Sequence, residues 1–323
     1  MSDYLLIEFD LAGAEWVVVA YLAGDQNMME VVNSGRSPHV VTGALISGAS
    51  EEFVEQEYKV VGSNTDPDTI MALRSTLTIP PGIFLPRSMS IRQAGKKGNH
   101  GCNYYMRYRR FALENEMPED DAAPIVSLYS EKAYPGIQDY WRVTRETMQT
   151  NSRTLTNCFG RKVRLMGEWG IELWMAAYSF VPQSTVFDVC RKGMISAYND
   201  DTLPFHDMHL GAQVHDSLMA IYPTPADDWH NLAKFIRKMV HAHMRHELHY
   251  TGATDKVERS FTLGVDAKIG FNWGTMHSIK VTQDLDSIID AVKQALDLSA
   301  QKADVVEPEW LATGLQAPEL LTA

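Results

Sequence analysis

Residues 5–25, LLIEFDLAGAEWVVVAYLAGD, carry an apolar run that ends in a carboxylate and then turns amphipathic. From Tyr4 to Phe9 the composition is apolar and β-prone, as in a buried strand; Ala14 to Leu22 holds no helix breaker and stops at Gly24, as a helix does. That change puts Asp10 at a strand's carboxyl end, just ahead of a helix. An acid at the edge of a core is costly unless a cation, often a metal, offsets its charge. Glu15, one turn into the helix, lies near the same mouth. Taken alone, the stretch is more simply a strand-to-helix turn whose acid favours the helix dipole. Two later stretches change that reading.

The rest of the composition sets bounds. With 323 residues, 45% of them hydrophobic, the chain can fill one large core or two modest ones. No uninterrupted apolar run approaches the roughly 20 residues of a membrane span, and the start, MSDYLLIEFD, is too short and acidic for a signal peptide. A cytoplasmic setting is expected, with no membrane partner. Cys102, Cys158 and Cys190 are widely spaced without a CxxC pair, which argues against a disulfide framework or a cysteine zinc site. The net charge of -12 argues against coating of nucleic acid by bulk attraction, so any polyanion is expected to be met locally, as by a basic groove.

The second stretch is residues 88–112, SMSIRQAGKKGNHGCNYYMRYRRFA. On a helix, Arg92, Lys96, His100 and Tyr104 recur every four positions and share one face. Such a face grips a triphosphate with its cations while a ring stacks on a base. The simpler alternative is a solvated basic helix with Tyr104 packed on the core. Gly95, Gly98 and Gly101 lower the helix propensity. Arg107, Arg109 and Arg110 extend the charge toward phosphates, or toward water.

Elsewhere residues 26–47 read as a loop and then a helix from Val40 to Ile46. Residues 48–87, with Glu51, Glu52, Glu55, Glu57 and the turn formers Pro80-Pro81-Gly82, read as an inserted subdomain or mobile loop without chemistry. Two helices are expected over 117–149, a hairpin over 154–165, and helices over 168–177 and 184–198, with Gln183 capping the latter. Residues 227–250 read as one long helix holding His230, His241, His243, His246 and His249; His246-Glu247-Leu248-His249 lacks HExxH spacing, so solvated or packed histidines are the better reading. A strand over 261–269, a turn over 270–276 and a short amphipathic helix from Asp284 precede an acidic, proline-interrupted end.

The third stretch is residues 210–222, LGAQVHDSLMAIY, a tight hairpin with His215 and Asp216 at its tip. Alone, Asp216 is a turn former. Together with Asp10 it offers two strand-end carboxylates that a sheet can bring side by side, with shared divalent cations offsetting their repulsion.

Taken in order, these residues resemble the motifs of family A DNA polymerases, the DNA polymerase I type. FDLAGAEWVVVAYLAGD resembles motif A, RQAGKKGNHGCNYY the fingers-helix motif B and QVHDS motif C. Ser37-Pro38-His39, Tyr134-Pro135-Gly136, Gln183-Ser184-Thr185 and Gly270-Phe271-Asn272-Trp273-Gly274 add to the match, which covers residues 4–277. The resemblance implies an α+β right-hand fold: a palm with an antiparallel sheet and helices, helical fingers, and no thumb. It divides the chain into palm with motif A (1–38), fingers with the 48–87 insertion (39–150), palm with motif C (151–280) and a C-terminal tail (281–323).

The same resemblance implies template-directed DNA synthesis, with primer-template DNA and dNTPs as partners. Asp10 and Asp216, helped by the Leu11 carbonyl, are expected to hold two Mg²⁺ ions. Arg92, Lys96 and His39 are expected on the triphosphate, Lys96 also as proton donor to pyrophosphate, Tyr104 near the templating position, and Glu15 beside the sugar C2′, which favours DNA over RNA synthesis. Gln183 and His215 are expected in the minor groove, and Arg107 and Arg110 on phosphates. Three departures stand out: Ser217 replaces the usual Glu after Asp216, His100 the usual Phe or Tyr, and Tyr105 a usual Gly. Because the chain starts at motif A, it is expected to be the palm-and-fingers piece of a split polymerase, as suits a phage, with a second polypeptide supplying the thumb and possibly an exonuclease. The alternative is a non-catalytic, polymerase-like replication subunit.

Overall fold

The structure, a computed structural model, describes residues 4–203, 209–224 and 228–303, so the acidic end beyond 303 lies outside the described residues. In chain order its elements are β1 (Tyr4–Leu11), α1 (Ala14–Ala23), α2 (Gln26–Asn33), α3 (Pro38–Ser47), α4 (Glu51–Val61), α5 (Pro67–Arg74), α6 (Ile91–Asn103), α7 (Tyr108–Asn115), α8 (Glu119–Leu128) and α9 (Gly136–Thr150). There follow β2 (Thr154–Thr156), β3 (Lys162–Arg164), α10 (Ile171–Tyr198), β4 (His209–Val214), β5 (Ser217–Pro223), α11 (Trp229–Lys238), β6 (Leu248–Thr251), β7 (Glu258–Phe261), β8 (Val265–Gly270), β9 (His277–Ile279) and α12 (Leu285–Ala303). They divide into two units, residues 1–12, 189–246 and 263–323 in one, and 13–188 with 247–262 in the other.

The first unit is built on an antiparallel sheet of five strands in the order β4-β5-β1-β8-β9. Alternation along the central strand β1 decides its faces. Leu5, Ile7, Phe9 and Leu11 are at most 1% exposed, while Leu6, Glu8 and Asp10 between them are only half-buried. Each buried side chain stabilises by about 1.5–3 kcal/mol, so a one-residue slip that turned them to water is excluded. Phe235 of α11 meets Phe9 edge-on at 5.6 Å, and α12 packs along β8 and β9, covering the apolar face. Glu8 and Asp10 stay on the other face.

The second unit is largely helical. Trp16, Val19, Ala20 and Ala23 of α1 form its core with Tyr129, Tyr134, Tyr140, Trp141 and Tyr178. The closest packing is of α3 against α6, and glycine is what allows it. A Cβ on Gly95 would run into the His39 carbonyl oxygen, and one on Gly43 would stand 2.8 Å from the Ile91 carbonyl oxygen. The glycines that lower the propensity of α6 therefore seat it, and packing outweighs their cost of about 1 kcal/mol each.

Several sequence expectations are corrected. The loop expected after Gly24 contains α2, capped by the Asp25 carboxylate, which accepts the Met28 N–H at 2.8 Å. Residues 48–87, expected to be an inserted subdomain or a mobile loop, carry the regular helices α4 and α5. The two helices expected over 168–198 are one, because buried Tyr178, Val181 and Val186 hold α10 to the core on either side of Pro182. Gln183 is thus inside a helix and caps nothing. The long histidine-bearing helix ends early: α11 stops at Lys238, one π-helical turn covers Met239–His243, and fully buried Leu248 pairs with Phe261 in a hairpin instead. That pairing also splits the strand expected over 261–269 into β7 and β8. The hairpins of β2 with β3 and of β4 with β5 form as the sequence predicts.

Candidate active site

β1 carries Asp10, and the hairpin loop between β4 and β5 carries Asp216. His215 opens that loop with φ 52°, the left-handed value a two-residue hairpin turn demands. Asp10 pairs across β5 with Ser217, the residue after Asp216, and the Leu11 N–H donates to the Asp216 carbonyl oxygen at 3.0 Å. The first unit therefore brings Asp10, on β1, beside the hairpin loop that holds Asp216. His215 is exposed beside them. The Ser217 hydroxyl donates to the Val214 carbonyl at 3.1 Å, closing the hairpin.

Three further charged residues on this face have no counterpart in the sequence reading. Asp10 is paired on its other side with Asp266 of β8, and Glu8 with Lys268, whose ammonium donates to Glu8 Oε2 at 2.8 Å. Period-2 spacing is the signal that finds them: Glu8 lies two residues before Asp10, and Lys268 two after Asp266. Burial pushes Asp10 up to about 6; Asp216 pushes the same way, and Lys268 opposes both. A carboxylate disfavoured by burial and by a second carboxylate fits a divalent cation. Among the described residues no group of three or more His, Cys, Asp and Glu side chains could hold a metal ion.

In the second unit α6 starts at the Ser90 cap, whose hydroxyl accepts the Gln93 N–H at 3.3 Å. Arg92 lies over the Tyr58 ring of α4 at 4.5 Å. Lys96 is exposed, and His39 is half-buried at the start of α3. Burial, with Arg92 and Lys96 nearby, pulls His39 down to about 4, so the ring is neutral. A second group gathers on Glu15: the Tyr104 hydroxyl donates to Glu15 Oε2 at 2.6 Å, His100 Nδ1 lies 3.4 Å from the same oxygen, and the Gln183 side chain bonds Glu15 too. Tyr104 itself is only 5% exposed.

Tyr105 has φ 71°, a backbone state that suits glycine and costs a tyrosine about 1–2 kcal/mol. Its ring meets Trp141 edge-on at 4.8 Å, which repays that strain in packing. Of the arginines, Arg107 lies over the Tyr105 ring at 5.5 Å, and Arg110 is paired with Glu114 at 2.7 Å.

The model of DNA polymerase family A matches residues 86–275, more than half of the chain. The chain belongs to DNA polymerase family A. Two proteins named DNA polymerase I, thermostable, from Thermus thermophilus and Thermus aquaticus, are each 23% identical to it over 231 residues. The alignment covers 69% of this chain and 23% of each relative. A solved POL domain of Pol1 from M. smegmatis, in complex with DNA primer-template and dNTP, superposes with a TM-score of 0.55 at 18% identity. That match covers 83% of this chain and 40% of the other. The family A chain therefore has the α+β polymerase fold over a minor part of its relatives' length. No described helix is long and apolar enough to cross a membrane.

Proposed function

We propose that this chain carries the catalytic face of a DNA-directed DNA polymerase, adding dNMP to a primer 3′-hydroxyl under the direction of a template. The observation that supports this best is the adjacency of Asp10 and Asp216 across β1 and the β4–β5 hairpin, on a face where burial and mutual repulsion call for a cation. The two carboxylates and the Leu11 carbonyl would hold the metal. Two magnesium ions, when bound, supply the Lewis acidity that lowers the pKa of the 3′-hydroxyl and screens the departing pyrophosphate. In the transfer a bond forms from the primer 3′-oxygen to the α-phosphorus while the α–β phosphoanhydride breaks.

The chain's other residues bind and orient. Arg92 and Lys96 meet the triphosphate as cations and His39 meets it as a neutral donor, with Lys96 giving a proton to the leaving pyrophosphate. Glu15, held by Tyr104, His100 and Gln183, fills the space beside the sugar C2′, so that a ribose hydroxyl is excluded. His215 and Gln183 contact the minor groove, and Arg107 and Arg110 reach the DNA backbone. A second polypeptide would hold the duplex DNA upstream of the primer end.

Replacing Asp216 with Asn tests the reading by primer extension with dNTPs and Mg²⁺, using the chain together with what copurifies with it. Incorporation is expected to fall by at least a hundredfold with the melting temperature retained. Unchanged incorporation would make the chain a non-catalytic subunit.

A further inference from the structure

Asn99 lies on α6, is 1% exposed, and sits within a network of polar groups. Its side-chain nitrogen is 2.9 Å from the Pro38 carbonyl oxygen and 3.2 Å from His39 Nδ1. Its side-chain oxygen accepts from the Thr42 hydroxyl at 2.7 Å and from the Tyr129 hydroxyl at 3.0 Å. Tyr129 in turn accepts from Trp16 Nε1 at 3.3 Å and lies 2.9 Å from the Asn103 side-chain oxygen.

One member of this network fixes the orientation of the rest. A carbonyl oxygen only accepts, so the Asn99 atom facing Pro38 is the NH₂ group. The second hydrogen of that NH₂ points to His39 Nδ1, which then has to be a bare acceptor. A proton there would set two donors against each other. A neutral imidazole with bare Nδ1 carries its proton on Nε2. Burial, Arg92 and Lys96 all disfavour the doubly protonated ring.

We propose that Asn99 is a positioning residue that locks His39 in the Nε2–H tautomer, so that a neutral N–H donor is offered to an anionic oxygen of the incoming nucleotide's triphosphate. The role of His39 toward the triphosphate rests on the polymerase reading above; the tautomer does not. The arrangement gives a donor that adds no charge beside Arg92 and Lys96. It also ties that donor through Asn99 and Tyr129 to Trp16 of α1, so one buried network sets the ring's angle and its proton together.

The test is nitrogen NMR on the full chain carrying ¹⁵N-histidine, with the His39 signals assigned from their loss in His39→Gln. The expected spectrum shows an unprotonated Nδ1 and a protonated Nε2 at neutral pH; a proton on Nδ1 overturns the proposal. In Asn99→Ser, which loses the NH₂ donor, the ring is expected to become a mixture of tautomers. An unchanged tautomer in that variant, shown to be folded by its melting curve, overturns the role of Asn99. Should Asn99→Ser not fold, the wild-type spectrum with and without dATP still decides: Nε2 is expected to shift on dATP addition while Nδ1 stays bare, and a shift at Nδ1 alone refutes it. In primer extension the KM for dNTP is expected to rise about tenfold in Asn99→Ser with a smaller change in kcat, the loss of one well-aimed donor. If no extension occurs in any form of the protein, the polymerase reading fails while the tautomer result stands by itself.

Discussion

The Glu57 carboxylate accepts the backbone N–H of Ile91, the first residue of α6, at 3.0 Å. Its other oxygen takes two bonds from Arg74, at 2.9 and 2.6 Å, and Arg74 also donates to the carbonyls of Pro86 and Met89. Both side chains are buried. A carboxylate at the start of a helix satisfies one of its orphan N–H groups and complements its dipole. Residues 51–74 thus anchor the beginning of the cation-bearing helix. Glu57→Gln leaves Arg74 as a buried charge with half its partner, and Arg74→Met leaves Glu57 so. Each is expected to cost about 3–5 kcal/mol in urea unfolding. Replacing both with apolar residues of similar volume should recover most of that loss, and no recovery would refute the ion-pair account.

Tyr58, the next residue on α4, supports Arg92 through its ring face. A cation over an aromatic ring at a partly exposed site contributes about 0.5–1 kcal/mol. Tyr58→Leu is therefore expected to raise the KM for dNTP about three- to fivefold, whereas Tyr58→Phe, which keeps the ring, leaves it within twofold. Equal effects from both variants would assign the contact to the phenol hydroxyl and not to the ring.

The Glu15–His100 pair makes a pH-dependent contribution. Its hydrogen bond to Glu15 raises His100 above its ordinary 6.5. Burial alone would raise Glu15, but bonds from His100 and Tyr104 bring it below its ordinary 4.5. A raised histidine stabilises fully below its unfolded pKa and loses that as pH rises through the folded value. A depressed carboxylate stabilises above its unfolded pKa and loses that as pH falls. The stability gap between wild type and His100→Ala is thus expected to be widest between pH 4.5 and 6.5 and to narrow on both sides. The His100 side chain is 60% exposed, so the gap stays below about 1 kcal/mol. Urea midpoints across pH check it; a flat difference refutes the pairing.

The place proposed for Glu15 beside the sugar C2′ makes a prediction about sugar choice. Glu15→Ala opens the space beside C2′ and is expected to raise ribonucleotide incorporation relative to dNTP by at least tenfold. Single-nucleotide extension with paired rNTP and dNTP substrates measures that ratio, and an unchanged ratio removes Glu15 from sugar selection.

The alternation of β1, the turn at His215-Asp216 and the helix that carries Arg92, Lys96 and His100 were legible because each is set by near neighbours in sequence, whereas Tyr104, expected on the same helix, is the residue just past its end. What was not legible rests on partners far along the chain. Among Glu51, Glu52, Glu55 and Glu57 nothing local marks Glu57 as the one that is fully buried, since its partner Arg74 is 17 residues away. Asn99 sits inside a recognisable motif, yet its partners Pro38 and His39 belong to α3, about sixty residues earlier. Lys268 meets Glu8 across 260 residues, and only the β1–β8 register brings them together. Tyr105 ran against a local rule, a tyrosine where the backbone wants φ above zero, and its edge-on contact with Trp141 is the compensation.

Asp10 is held against its own preference, and that strain predicts opposite effects on stability and activity. Its pKa in the folded chain is about 6 against an ordinary 3.8, from burial first and Asp216 second. A carboxylate whose folded pKa is raised binds protons more tightly in the native state. Without metal, its contribution to stability falls as pH rises from 3.8 through 6. Discounted for solvent screening, the penalty at neutral pH is about 2 kcal/mol. Asp10→Asn removes it, so the metal-free variant is expected to melt several degrees above wild type at pH 7 while losing nucleotide incorporation. Adding Mg²⁺ should raise the wild-type midpoint and leave the variant's nearly unmoved, because the cation offsets the same repulsion that the substitution abolishes. Equal responses to Mg²⁺ in the two proteins would show that the ion binds elsewhere.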